Sequence, residues 1–296
     1  MNQLAKSGNQ VEQCGRLALL MGVGLGVLSG PTMGIIIRHD VDPALHLALG
    51  ANPAFDSVGE IGFVNQTGGF AGATGVLIDP EWVLISAHRV AQDPGFDWAF
   101  RHNEVVHDIS EIIYHPGYDG SATGTTGSDL ALVRLTNPIE GAYIPTLTTL
   151  GMAFGDEVAL VGFGGIGDGN GNGRTFTTER WAAMNTWDQR ENHAEYYITD
   201  FDRPESGALA LEGSTTNGDT GAGIFHFTNG QWELAGLGSH VLDTNLSGMF
   251  GDYGDRARHT RLEVYRPWID SIVPAPGGVG VMGIFGLVGC RRRRRQ

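Results

Sequence analysis

The chain has 296 residues, 46 of them glycine, and a formal charge of −14. Residues 35–273 hold 12 arginines, no lysine and 32 acidic residues, a balance of −20, and such a surface repels nucleic acid and anionic lipid as partners of that segment. Both cysteines, Cys14 and Cys290, lie outside it, so the middle must hold itself by apolar burial and not by disulfides, which its size permits.

The N-terminus carries Lys6 and Arg16, then a glycine-rich apolar run from Leu17 to Leu28, then Ser29-Gly30-Pro31-Thr32-Met33-Gly34. A basic start, a short apolar core and small residues at the end predict a bacterial-type signal peptide over 1–34, removed by a signal peptidase near Gly34. From Ile35 the pattern is one of short strands and tight turns. Gly75-Val76-Leu77-Ile78, Trp82-Val83-Leu84-Ile85, Ala131-Leu132-Val133-Arg134-Leu135, Val158-Ala159-Leu160-Val161-Gly162 and Ala222-Gly223-Ile224-Phe225 are separated by Gly, Pro, Asn and Asp clusters. Helical periodicity over a long segment is confined to 262–272, where Leu262, Tyr265, Trp268, Ile269 and Ile272 share one face.

The chain closes with Val273-Pro274-Ala275-Pro276-Gly277, a small and apolar run to Cys290, and five arginines from Arg291 to Arg295. This end resembles the PEP-CTERM sorting signal, with Ala275 where the commonest form has glutamate. A run of about 14 residues is short for a full bilayer span and suits a transient anchor. The resemblance implies processing by an exosortase, transient membrane association and a secreted or bacterial cell-envelope location. Three segments are therefore predicted: signal peptide 1–34, globular domain 35–273, and sorting segment 274–296.

Three motifs carry chemistry. Ser86-Ala87-His88 closes the Trp82 run; Ser128-Asp129-Leu130-Ala131-Leu132 begins another; Gly218-Asp219-Thr220-Gly221-Ala222 reads as a turn. A hydroxyl is a poor nucleophile at neutral pH, so it needs a base within hydrogen-bond reach, and that base needs a partner that fixes its tautomer. His88 is the candidate base, Asp129 the orienting group and Thr220 the nucleophile. Glycine at 218 suits backbone that approaches a substrate closely.

This order of histidine, aspartate and a hydroxyl in a Gly-Asp-X-Gly turn resembles the chymotrypsin/trypsin-like serine peptidases. Tyr114-His115-Pro116, Val161-Gly162-Phe163-Gly164 and Leu234-Ala235-Gly236-Leu237-Gly238-Ser239 extend the likeness over most of 35–273. It implies an all-β fold of two six-stranded antiparallel barrels with a C-terminal helix, and a monomeric serine-type endopeptidase acting on polypeptides in the cleft between barrels. It further implies an oxyanion hole from the Gly218 and Thr220 N–H groups, a pocket floored by Ser214 and walled by Ser239 and His240, and Asp219 as the partner of an ammonium freed at Ile35. A neutral Ser214 would not compensate a buried substrate cation, so an uncharged or apolar side chain is expected there. The family's half-cystines near the histidine are Arg89 and Ala73 here, and its nucleophilic serine is Thr220, followed by Ala222 where a second glycine is usual.

Asp168-Gly169-Asn170-Gly171-Asn172-Gly173, with Glu179 further on, has the oxygen spacing of an EF-hand calcium loop. Asx and Gly residues equally make a hairpin tip, no helix pattern flanks the segment, and no other cofactor is expected.

Threonine adds a methyl on a stiff Cβ, which leaves two readings. One is a secreted endopeptidase with attenuated activity, favoured by the joint presence of His88, Asp129, Gly218 and Asp219. The other is a catalytically inactive module that binds envelope polypeptides or glycans, favoured by Thr220 and Ala222.

Overall fold

Glycine and Asx turns break the apolar runs into seventeen strands and three α-helices among the described residues. The structure is a computed structural model and describes residues 35–64, 70–92, 94–120, 128–188, 195–216 and 218–273, all in the unit that begins at Pro31. The predicted signal peptide and sorting segment lie outside the described residues.

The chain enters through β1 (Ile36–Ile37) and α1 (Pro43–Gly50). Helix α1 starts because the Asp42 carboxylate accepts the Ala44 N–H at 3.0 Å and Pro43 presets the first turn. Eight residues are too few for a helical period to show in the sequence, and the helix is marked there only by its Asp42-Pro43 start signal.

The first barrel contains β2 (Val58–Val64), β3 (Phe70–Asp79), β4 (Trp82–Ile85), then α2 (Ala87–Ala91), β5 (Ala99–His102), β6 (Val105–Tyr114) and β7 (Ala131–Leu135). Its strands close in the order β2-β3-β4-β7-β6-β5, with β5 paired back onto β2. Ile61, Leu77, Val83, Ile85, Phe100, Ala131 and Val133 fill the interior. Asn103 and Glu104, both with positive φ, make the tight β5–β6 turn.

The second half supplies β8 (Thr146–Leu147), β9 (Glu157–Gly162), β10 (Gly165–Asp168), β11 (Thr175–Phe176), β12 (Trp181–Thr186) and β13 (Tyr196–Asp200). It continues with β14 (Gly213–Ser214), β15 (Gly223–Thr228), β16 (Gln231–Leu242), β17 (Arg256–Arg261) and α3 (Leu262–Ile272). The expected second barrel is a six-strand path, β12-β9-β15-β16-β17-β13, whose two end strands share no ladder. A side chain bridges that seam. The Asn185 amide on β12 donates to the Asp200 carbonyl on β13 and the Gly213 carbonyl on β14, each at 2.7 Å. A small sheet, β11-β10-β1-β14, stands beside it.

One core cluster joins the halves: Val76, Leu84 and Leu132 from the first pack with Ala159, Val161, Phe225 and Leu237 from the second. Leu262, Tyr265 and Ile269 of α3 complete it, and Trp268 and Ile272 pack against its edge, so the predicted helical face is the buried one.

Candidate active site

Strand β4 is buried at all four positions and delivers the chain to Ser86, after which α2 turns His88 toward the second half. His88 is 8 % exposed and Asp129 1 %. The carboxylate is bound twice by the same residue: Oδ1 accepts the His88 backbone N–H at 2.8 Å, and Oδ2 accepts the ring Nδ1–H at 2.7 Å. That pair of contacts fixes ring orientation and tautomer together, leaving Nε2 with a lone pair. Thr220 Oγ1 lies 3.5 Å from that Nε2, a reach at the long limit of hydrogen bonding.

The turn that holds Thr220 is tied to both halves. Thr74 of β3 donates its N–H to the Thr220 carbonyl at 2.9 Å, Gly221 donates to the Gly238 carbonyl at 2.7 Å, and Ala222 donates to the Asp219 carbonyl at 2.7 Å. The Ser86 hydroxyl donates to the same Gly238 carbonyl at 2.7 Å. Gly221 has φ +86°, and a Cβ there would stand 2.0 Å from the Thr74 oxygen, so no other residue fits. Gly218 and Thr220 donate no backbone N–H to a carbonyl of the described residues.

Ser239, expected in the substrate pocket, gives its hydroxyl to Asp129 Oδ2 at 2.6 Å. No local signal in the sequence shows this, because the contact joins β16 to a residue 110 positions away. His240 follows on the same strand, half-buried, with its ring edge-on to Tyr196. Ser214 is buried on β14, and its hydroxyl donates to the Thr215 carbonyl at 3.0 Å.

Asp219 is buried, and its Oδ2 accepts the Thr216 N–H at 3.0 Å. Its Oδ1 has no hydrogen-bond partner among the described residues. Burial pushes this carboxyl well above the usual carboxylate range, while the Thr216 and Gly164 N–H groups pull the other way.

The calcium look-alike is the β10–β11 hairpin tip. Asp168 Oδ1 accepts the Asn170 and Asn172 N–H groups, each at 2.9 Å, and Glu179 lies in a different cleft, among Glu60, Arg101 and Arg180. The Asp168 carboxylate is turned onto the loop's own amides, which is the Asx-turn use of this residue. Glu179, the twelfth position of the look-alike spacing, thus lines a cleft in which Asp168, Asn170 and Asn172 take no part.

The Trypsin family model matches residues 56–269. The chain belongs to the trypsin family. The solved structure of neuropsin, "a serine protease expressed in the limbic system of mouse brain", matches with a TM-score of 0.58 and 18 % identity, over 75 % of this chain and 96 % of that one. At that identity the likeness shows the fold alone. This trypsin-family chain lacks the cystine implied near the histidine: Ala73 is buried in the first core, and the Arg89 guanidinium lies 4.8 Å from the Trp98 ring centroid. A cation–π stack and core burial stand where the disulfide would be.

Proposed function

We propose that the protein is a secreted trypsin-like endopeptidase that cleaves polypeptides slowly, with Thr220 as nucleophile, His88 as general base and Asp129 as the group that orients His88. The observation that carries this is the doubly bonded His88–Asp129 pair with Nε2 directed at a hydroxyl in a rigid turn. In the reaction, Thr220 Oγ1 gives its proton to His88 Nε2 and bonds to the substrate carbonyl carbon. The Gly218 and Thr220 N–H groups stabilise the resulting oxyanion. His88 then passes the proton to the leaving amine, leaving an acyl-threonine ester that a water molecule, deprotonated by His88, hydrolyses.

The attenuation has a steric cause. The β-branched side chain has few rotamers, and a turn pinned through Thr74, Gly238 and Asp219 does not adjust to the extra methyl. A misplacement of about 1 Å costs roughly a hundredfold in rate. The buried, uncharged Ser214 supports a preference for uncharged or apolar side chains at the cleaved bond. The 3.5 Å separation favours, as a second reading, a catalytically silent module that binds envelope polypeptides or glycans. Thr220→Ser separates the two: it restores a primary hydroxyl in the same turn and should raise peptide turnover at least about tenfold, a gain of about 1.4 kcal/mol. A silent module would show no turnover in either form.

The basic and apolar N-terminal segment and the Pro-X-Pro, apolar and arginine pattern at the C-terminus support export and processing in a bacterial envelope. Intact mass of exported protein should show a start near Ile35 and loss of the segment after Pro276 in a host with an exosortase. Retention of both ends on exported material contradicts the sorting account.

A further inference from the structure

The wall beside the triad carries a histidine and an arginine that the reaction above leaves unused. Ser239 has a single hydroxyl proton, and its 2.6 Å bond to Asp129 Oδ2 takes it. The 3.2 Å contact between Ser239 Oγ and His240 Nδ1 is therefore donated by the imidazole N–H. His240 Nε2 is then the acceptor for Arg258 Nη1 at 3.3 Å, since a guanidinium can only donate. Three hydrogen bonds run in one direction: Arg258 to His240, His240 to Ser239, Ser239 to Asp129.

Strand pairing builds this chain. His240 faces Arg258 in the β16–β17 register, and the register shifts between Gly238 and His240. An extra residue at such a bulge re-aims side chains that regular alternation would send to opposite faces, so Ser239 and His240 can meet at their polar ends. Tyr196 of β13 backs the pair, with its ring 5.8 Å from the His240 ring and 5.7 Å from the Arg258 guanidinium.

We propose that His240 and Arg258 are positioning residues for Asp129, the outer part of a hydrogen-bonded chain that holds the carboxylate where it receives both N–H groups of His88. Bonds in series polarise one another, so each outer donor strengthens the Ser239 bond to the carboxylate. A change at Arg258, two side chains removed from Asp129, is thereby felt at His88. The consequence for catalysis rests on the peptidase reading; the positioning itself exists in the resting protein and is measurable there.

The test follows the His88 Nδ1–H proton by NMR in the purified full-length protein, comparing wild type with His240→Phe, His240→Asn and Arg258→Gln. Phenylalanine keeps a ring against Tyr196 and removes the donor, so the His88 proton should exchange with water about fivefold faster, as the loss of one hydrogen bond implies. Arg258→Gln should move exchange in the same direction by less. Asparagine places an N–H where Nδ1 stood and should restore slow exchange. Wild-type exchange in both His240→Phe and Arg258→Gln, with circular dichroism unchanged, overturns the proposal; so does an asparagine variant as fast as the phenylalanine one. If His240→Phe does not fold, Arg258→Gln against wild type decides. Should the proton respond as expected while no form cleaves peptide, the positioning chain stands and the peptidase reading falls.

Discussion

Replacing His88 by alanine is expected to lower peptide hydrolysis by about a hundredfold or more, the usual worth of general-base help. Among the described residues, His88 is the base hydrogen-bonded to Thr220. Nε2 is 3.5 Å from its hydroxyl, and Asp129, bonded to the far side of the imidazole, reaches Thr220 only through it. The loss should fall on kcat with KM little changed, because the ring acts on the reacting proton and not on substrate binding. The variant should fold. The backbone N–H of residue 88 still reaches Asp129 Oδ1, and the Ser239 hydroxyl still reaches Oδ2. Unchanged casein or peptide cleavage by a folded His88→Ala protein removes His88 from the mechanism.

The second large effect concerns Asp219 and depends on where the chain begins. In the antiparallel pairing of β1 with β14, Ile36 faces Ser214 and Ile37 faces Gly213, which sets Ile35 opposite Thr215. One residue on, Thr216 donates its N–H to Asp219, and Ile35 is itself buried. A chain starting at Ile35 would therefore release its ammonium near the carboxylate whose Oδ1 lacks a partner. In a chain with residues still attached before Ile35, the raised carboxyl contributes stability only in its protonated form, present below its unfolded value of about 4 and lost as pH rises through the folded one. Asp219→Asn should leave that form unchanged or slightly more stable at pH 7. Once the ammonium is in place the sign reverses. Removing one partner of a buried ion pair costs about 3–5 kcal/mol, so the same substitution should sharply lower the urea midpoint of the Ile35-start protein and its activity. Equal effects on the two forms would contradict the pairing.

The chemistry was legible because it is written in short motifs: His88, Asp129 and Thr220 each sit at a junction between an apolar run and a turn, and the structure brings all three together. The α3 face was legible for a similar reason, since five apolar residues recur at helical spacing over eleven positions. What escaped lies in cross-strand contacts and in side chains that replace backbone pairing. The Ser239 bond to Asp129 shows only when β16 is laid beside that residue, and the seam that leaves the second barrel unlaced rests on the Asn185 amide. The Asp168 hairpin shows how a metal-like spacing can also serve a turn, since the Asp168 carboxylate accepts the Asn170 and Asn172 amides.

The central claim is that Thr220 Oγ1 is an activated nucleophile, and a fluorophosphonate probe tests it by bonding to that oxygen. On the purified protein the account predicts an adduct on the peptide containing Thr220, slow in the wild type, at least about tenfold faster in Thr220→Ser, and missing in Thr220→Ala. If wild type and Thr220→Ser both stay at the Thr220→Ala background while circular dichroism shows the fold intact, the nucleophile is not activated and the protein is a binding module.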